Sequence, residues 1–211
     1  MQMNDIMRQI AKSFEQPVIF ILLLFVIFTI IMIGDLIAEV LQRKYLNIKL
    51  SKLVNDIRKE ELPPEVLIYK AKLLKLQKDT LLEISDNKEL SNQMRETLAI
   101  ALLEKYKLKL DTKIKKSDLL AKLGPSFGLL GTLIPLGPGI IALGQGNTEI
   151  LSQSLLTAFD TTILGLSCAV VAIVISAIRR RWYTHDMSIM NVLMEALVES
   201  ENAKRGTNYV K

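Results

Sequence analysis

Apolar residues along this chain gather into three long runs, and charged residues fill the intervals between them. The first run opens at Pro17 and continues over residues 18–34, 17 positions without a charge, extendable through Leu36, Ile37 and Ala38. That suits a spanning helix of about 20 residues, and proline is well tolerated at a first helical position. The second run covers 123–144 and the third 151–178, with a polar turn over 145–150 that contains Gln145, Gly146 and Asn147. The pattern therefore predicts transmembrane helices over 17–40, 123–144 and 151–178. Two rivals need an answer. A cleaved signal peptide is disfavoured at the first run by its over-long apolar core and by Asp35 and Glu39, where small residues should precede a cleavage site. A re-entrant loop competes at the second, because Pro135 and Pro138 lie inside it, but a membrane helix accommodates prolines when neighbours or waters satisfy the freed carbonyls.

The intervals have their own periodicity. Residues 1–16 read as a short polar amino terminus in which Arg8 and Lys12 offset Asp5 and Glu15. Residues 41–122 carry 19 Lys/Arg and 12 Asp/Glu. There Leu41, Tyr45, Ile48, Leu53 and Ile57 recur near helical spacing, so the first membrane helix is expected to continue beyond the bilayer. Pro63 and Pro64 interrupt it. Leu67, Ala71, Leu74, Leu81 and Ile84 then mark a second amphipathic segment, residues 85–89 offer a turn, and Leu90, Met94, Leu98, Ala101 and Leu102 resume a helix. Residues 105–116 alternate apolar and charged positions as a strand would, yet their neighbours favour helix, the simpler path into the next span. After the basic cluster Arg179, Arg180 and Arg181, helical spacing runs through Ile189, Leu193, Met194, Leu197 and Val198 to about Ser200, with a frayed end expected beyond it. The fold class is an all-α membrane protein: three transmembrane helices with long helical extensions and a tail over 179–211.

Composition sharpens this picture only through its distribution. The chain has 211 residues, half of them hydrophobic, and a formal charge of +5, with mean hydropathy +0.29. The basic excess does not point to nucleic acid, which would need Lys and Arg on a folded domain without such apolar runs. Instead, 25 of the 27 basic residues fall in the middle region and the tail, which three crossings place on one side. The positive-inside tendency makes that side cytoplasmic and puts the amino terminus outside, in a cytoplasmic (inner) membrane. Cys168 lies in the third run as the only cysteine, and His185 is the only histidine. No metal site, catalytic group or cofactor is implied. At the end of the first span Glu39 stands four residues from Arg43 and can reach it along one helix face.

The last two runs carry the polar atoms that need an explanation. Gly124, Gly128, Gly131 and Pro135 form a small face on the second. Ser154, Ala158, Thr161, Gly165, Cys168, Ala172 and Ser176 form one on the third, and such faces let helices approach closely. Gly128, Gly131, Ala158 and Gly165 are thus the candidate packing residues. Thr132, Asp160, Thr161 and Thr162 are the candidate ion-pathway or pore-lining residues. A carboxylate well inside an apolar span costs about 2.5–3.5 kcal/mol on insertion scales, so Asp160 should face protein or water. A membrane threonine alone is ordinarily satisfied by its own helix. Asp160 and Thr162 lie roughly 200° apart around the helix, so one narrow line cannot hold both.

Gly128-Leu129-Leu130-Gly131-Thr132, followed by Ala158-Phe159-Asp160-Thr161-Thr162-Ile163-Leu164-Gly165-Leu166, resembles the signature of the MotA/TolQ/ExbB proton-channel family. The order of parts is also similar: one span, a cytoplasmic region, two spans and a cytoplasmic tail. The resemblance implies an oligomeric helix bundle, a homopentamer whose second and third spans line a central pore. That pore would hold a dimer of a single-span protein resembling ExbD, TolR or MotB. It implies transport of protons, or another monovalent cation, past threonines at the positions of Thr132 and Thr162, with an aspartate of the partner as the usual proton carrier. Proton-motive force would then drive motion of one component within the other. This chain departs from the family's pattern at Asp160, where familiar members have a small or apolar residue, and at the Pro135/Pro138 pair. The contrasting reading is a non-conducting scaffold whose small-residue faces only assemble helices.

Overall fold

The computed structural model describes residues 3–44, 50–59, 62–87 and 90–208, apart from the side chains of residues 4, 5 and 203–208. Every regular element among them is an α-helix: α1 (Met3–Ser13), α2 (Glu15–Lys44), α3 (Leu50–Arg58), α4 (Pro64–Lys70), α5 (Lys75–Ser85), α6 (Asn92–Gly144) and α7 (Thr148–Asn208). Three of these, α2, α6 and α7, contain stretches long and apolar enough to cross a membrane. The all-α membrane class follows.

The chain divides into two compact units. The apolar unit comprises Met1–Leu36 and Ile114–Ile178. Its core gathers Met32, Leu120, Cys168, Ala172 and Ile175, flanked by Phe25, Val26, Phe28 and Leu36. The rings of Phe25 and Phe127 meet edge to face with centroids 5.5 Å apart, an arrangement favoured by the aromatic quadrupole. Thr29 is buried here and donates to the carbonyl of Phe25 at 2.7 Å, so its hydroxyl needs no second partner. Cys168 is a buried free thiol and serves as a small packing residue.

The charged unit comprises Ile37–Lys113 and Arg179–Lys211. Its buried side chains include Leu81, Ile84, Leu102 and Tyr106, with Ile189, Met190, Leu193, Met194 and Leu197 along α7. Those α7 positions recur every three to four residues, the stripe expected of a core-facing helix.

The structure departs from the sequence reading, or decides between its alternatives, at five places. First, residues 3–13 are not merely a polar tail but a helix. Its apolar positions are spaced for one face, a signal hidden by the low overall hydrophobicity of so short a segment. Second, the amphipathic segment after Pro64 is two helices. Ala71 and Leu74 adopt extended backbone. The Gln77 side-chain oxygen Oε1 accepts from the Leu74 N–H at 3.0 Å, which starts α5 afresh. Third, of the strand and helix patterns over residues 105–116 the favoured helix is the one formed, inside α6, which also runs unbroken through Pro125, Pro135 and Pro138 to Gly144. The strand-like alternation there arises because Tyr106, Leu110 and Ile114, spaced by four, are the buried set, while Leu108 is exposed. Fourth, α7 continues to Asn208 instead of fraying after Ser200, where Ser200 is itself buried. Fifth, Glu39 still supports the Arg43 charge in its own helix, as the spacing allows, but forms its ion pairs with other helices. It accepts from Arg179 at 3.0 Å, Lys113 at 3.0 Å and Tyr183 at 2.7 Å. Tyr45 and Ile48 of the expected helical extension, and Lys88 and Glu89 of the expected turn, lie outside the described residues.

Candidate functional site

The helix pair α6–α7 within the apolar unit is built around missing side chains. A Cβ added to Gly165 would lie 2.5 Å from the Gly124 carbonyl oxygen. One added to Gly131 would lie 2.5 Å from Thr161 Cβ, and one added to Gly139 would lie 2.9 Å from Ser154 Cβ. Gly128 faces the backbone of Thr161 and Thr162 at 3.4–3.5 Å. As the α6 positions rise from 124 to 139, their α7 partners fall from 165 to 154, so the hairpin is antiparallel and close along this whole length. Small residues permit this approach, and dispersion between nearly touching backbones then holds the pair. The hairpin closes at Gly146, whose φ of +78° is open to glycine without a Cβ penalty. The Asn147 side-chain oxygen Oδ1 accepts from the Ile150 N–H at 3.1 Å and caps the start of α7.

The four candidate pathway residues fall into three places. Thr161 is buried in the seam against Gly131, and its hydroxyl donates to the carbonyls of Thr157 and Ala158, both at 3.0 Å. Thr132 and Thr162 are half-buried. Their hydroxyls donate within their own helices, Thr132 to Leu129 at 2.7 Å and Thr162 to Ala158 at 3.1 Å. A donating hydroxyl keeps its lone pairs free to accept from water or another side chain. Asp160 is exposed on the single chain and meets no partner among the described residues. Gly128, Gly131, Ala158 and Gly165 are all buried.

Handedness fixes how these groups are distributed. Gly131 and Thr161 face one another across the pair. In two antiparallel helices, the residue one step after each contact partner turns to the same side, because steps of about 100° are taken about opposite axes from opposite faces. Thr132 and Thr162 therefore emerge on one shared flank at nearly one level. Asp160, one step before Thr161, emerges on the other flank. On that second flank Gln153, Asp160 and Ser167 are all exposed and seven residues apart, which keeps them within about 20° per repeat of a single line. The spacing of seven was present in the sequence and is the signal that would have found this line.

A further polar pair escaped the sequence reading. Asp118 accepts a short hydrogen bond from the Ser176 hydroxyl, joining α6 to α7 at the end of the apolar unit far from the turn. Asp118 stands among Lys115, Lys116 and Lys122 in the sequence and read there as one more solvated charge.

The charged unit holds a second constellation. Arg43 makes a two-pronged ion pair with Asp186, whose side chain is 4% exposed. The Arg43 guanidinium also lies 4.8 Å from the centre of the Trp182 ring, a cation–π distance. Burial works against the Arg43 charge, but Asp186 more than offsets it and holds the guanidinium above its ordinary pKa. Burial and then the carboxylate of Glu39 push the Tyr183 phenol up, so it stays a donor to Glu39. Burial likewise pushes the Tyr106 phenol up. Tyr106 lies beside Gln77, yet their geometry falls short of a hydrogen bond: Tyr106 Oη, Gln77 Nε2 and Arg43 Nε have no partner among the described residues.

Three helices long and apolar enough to span a bilayer, the last two closed into a glycine-lined antiparallel hairpin, define a multi-pass helical membrane protein. The chain belongs to the MotA/TolQ/ExbB proton channel family, whose sequence profile matches residues 65–192. That match takes in α4 to α6 and most of α7, and leaves α1, α2 and α3 outside it. No individual curated protein sequence matches the chain.

Proposed function

We propose that this chain is the channel-forming subunit of an ion-driven membrane motor, with the passage running along the hairpin flank that carries Thr132 and Thr162. The observation supporting this is the shared flank itself: the contact of Gly131 with Thr161 brings the next residue of each helix to the same side and level. In this reading five copies surround a dimer of a single-span protein of the ExbD, TolR or MotB kind. An aspartate of that partner exchanges protons, or another monovalent cation, with water ordered by the threonines. The membrane is the inner one, with the amino terminus outside and the charged unit in the cytoplasm. Neutral hydroxyls relay hydrogen bonds to water without the cost of a buried charge. The membrane potential contributes about 2.3 kcal/mol per charge for each 100 mV, enough to bias a conformational step of the ring against its partner.

The test is proton flux into liposomes holding the chain with its single-span partner. Thr132→Val and Thr162→Val should each lower flux by about tenfold, equivalent to roughly 1.4 kcal/mol on the barrier. Asp160→Asn, on the other flank, should leave flux close to wild type. The opposite result, loss with Asp160→Asn and none with the threonine variants, would move the passage to the Gln153–Asp160–Ser167 line. If no form conducts with the partner present, the scaffold reading replaces this one.

A further inference from the structure

Three polar atoms of the charged unit are enclosed without a partner among the described residues: Tyr106 Oη, Gln77 Nε2 and Arg43 Nε. Tyr106 and Gln77 are each only 1% exposed. A buried donor or acceptor left bare costs more than an ordinary hydrogen bond returns, so such groups are met by protein or by ordered water.

None of the three is free to turn toward a protein partner. Gln77 Oε1 accepts from the Leu74 N–H and starts α5, which fixes the amide with Nε2 on its other side. Flipping that amide would set a donor against a donor. Arg43 gives Nη1 to Asp186 Oδ1 and Nη2 to Asp186 Oδ2, so its fork is held and Nε is left over. Tyr106 belongs to the buried set Leu102, Tyr106 and Leu110 on α6, spaced by four, and its ring cannot leave that stripe without opening the core. The groups are also neighbours. Burial, and then the Asp186 carboxylate, push the Tyr106 phenol up, while the adjacent Gln77 amide and the Arg43 guanidinium pull it down.

The chemistry of the set selects its ligand. Gln77 Nε2 and Arg43 Nε are donors only, so the ligand must accept twice. A cation accepts from neither. An anion would accept, but Asp186 already neutralises Arg43, and a second negative charge beside that buried carboxylate would be repelled. What fits is a small neutral group that accepts twice and donates to the phenol oxygen.

We infer that an ordered water molecule is bound here, accepting from Gln77 Nε2 and Arg43 Nε and donating to Tyr106 Oη. Three hydrogen bonds are usual for a buried water. It ties the start of α5 and the buried stripe of α6 to the ion pair that Arg43 of α2 makes with Asp186 of α7. The charged unit thus gains a polar network whose members come from four helices, and each bond in such a network strengthens its neighbours.

Two measurements on the full chain in lipid nanodiscs test this. A cryo-electron-microscopy map at about 2 Å should show one peak lying about 2.5–3.2 Å from all three atoms. Direct contact between Tyr106 Oη and Gln77 Nε2, with no peak, would overturn the inference. Chemical unfolding followed by emission from Trp182, the only tryptophan, supplies the second reading. Tyr106→Phe keeps the ring and deletes only the hydroxyl, so it should raise the unfolding constant about tenfold as the water loses a partner. A bare hydroxyl predicts the opposite sign, because its removal would leave the constant unchanged or lower, and that result would also overturn the inference. Arg43→Lys keeps a positive charge toward Asp186 but removes Nε. Combined with Tyr106→Phe, its effect should fall short of the product of the single effects by about threefold or more, since both variants act on one water. Effects that simply multiply would show that the two groups share no ligand.

Discussion

In the apolar unit the closest approaches are between backbones, as where Gly124 and Gly165 leave no space for a Cβ. In the charged unit they are between ionised side chains, as where Arg43 grips Asp186 and Glu39 collects Arg179, Lys113 and Tyr183. The contrast follows from the solvent each part is built for. Surrounded by acyl chains, helices gain little from burying apolar side chains, which lipid solvates equally well, so close packing of small residues decides association. Threonine hydroxyls there turn back on their own helices, as Thr29, Thr132, Thr161 and Thr162 all do, whereas Ser176 at the end of the unit reaches across to Asp118. In contact with water, apolar burial drives assembly, and charges drawn into the core must be paired to be tolerated.

This comparison can be broken in order of size. Asp186→Ala should cost about 3–4 kcal/mol, because it strands the Arg43 charge in a partly buried site. Arg58→Ala, which removes an exposed pair with Glu199, should cost less than about 0.5 kcal/mol. Chemical unfolding followed by tryptophan emission from Trp182 measures both, and similar costs for the two would mean that burial of charge does not distinguish this unit.

Gly165→Ala should cost about 2–3 kcal/mol, since a new methyl must push two helix backbones apart. Gly137→Ala, where a Cβ meets nothing within 4 Å, is the matched control and should be neutral or slightly stabilising. Thermal unfolding in lipid nanodiscs reads the pair. A tolerated Gly165→Ala would show that the seam has slack.

Tyr183→Phe should cost about 1–2 kcal/mol by removing a hydrogen bond to a carboxylate, and it carries a pH signature. The Tyr183 phenol is raised in the folded chain by burial and by Glu39. Its stabilising contribution is therefore complete below the ordinary phenol value of 10.0 and is lost as pH climbs through the folded value. Wild type should lose stability more steeply above that point than Tyr183→Phe. Parallel pH profiles would assign the alkaline sensitivity elsewhere, with Tyr106 the next phenol to replace.

Much of the architecture is legible in the residue order because its cause is local. Seventeen uncharged residues from Val18 onward can be little other than a span. Gly128, Gly131 and Gly165 recur at helical spacing whether or not the partner helix is known. The helices α1 and α5 were harder, since one is too short to stand out and the other begins with a cap supplied by Gln77.

What the sequence determined by itself was the number of spans, their small-residue faces and the set of polar groups inside them, because hydropathy and helical period act over neighbouring residues. What only the tertiary structure decided was where those groups go. The register that sets Gly131 against Thr161 puts Thr132 and Thr162 on one flank and Asp160 on the other. The pairing of Arg43 with Asp186, 143 positions away, likewise depends on which helix faces which. No local rule contains either fact, because a flank and an ion pair exist only once two helices have met.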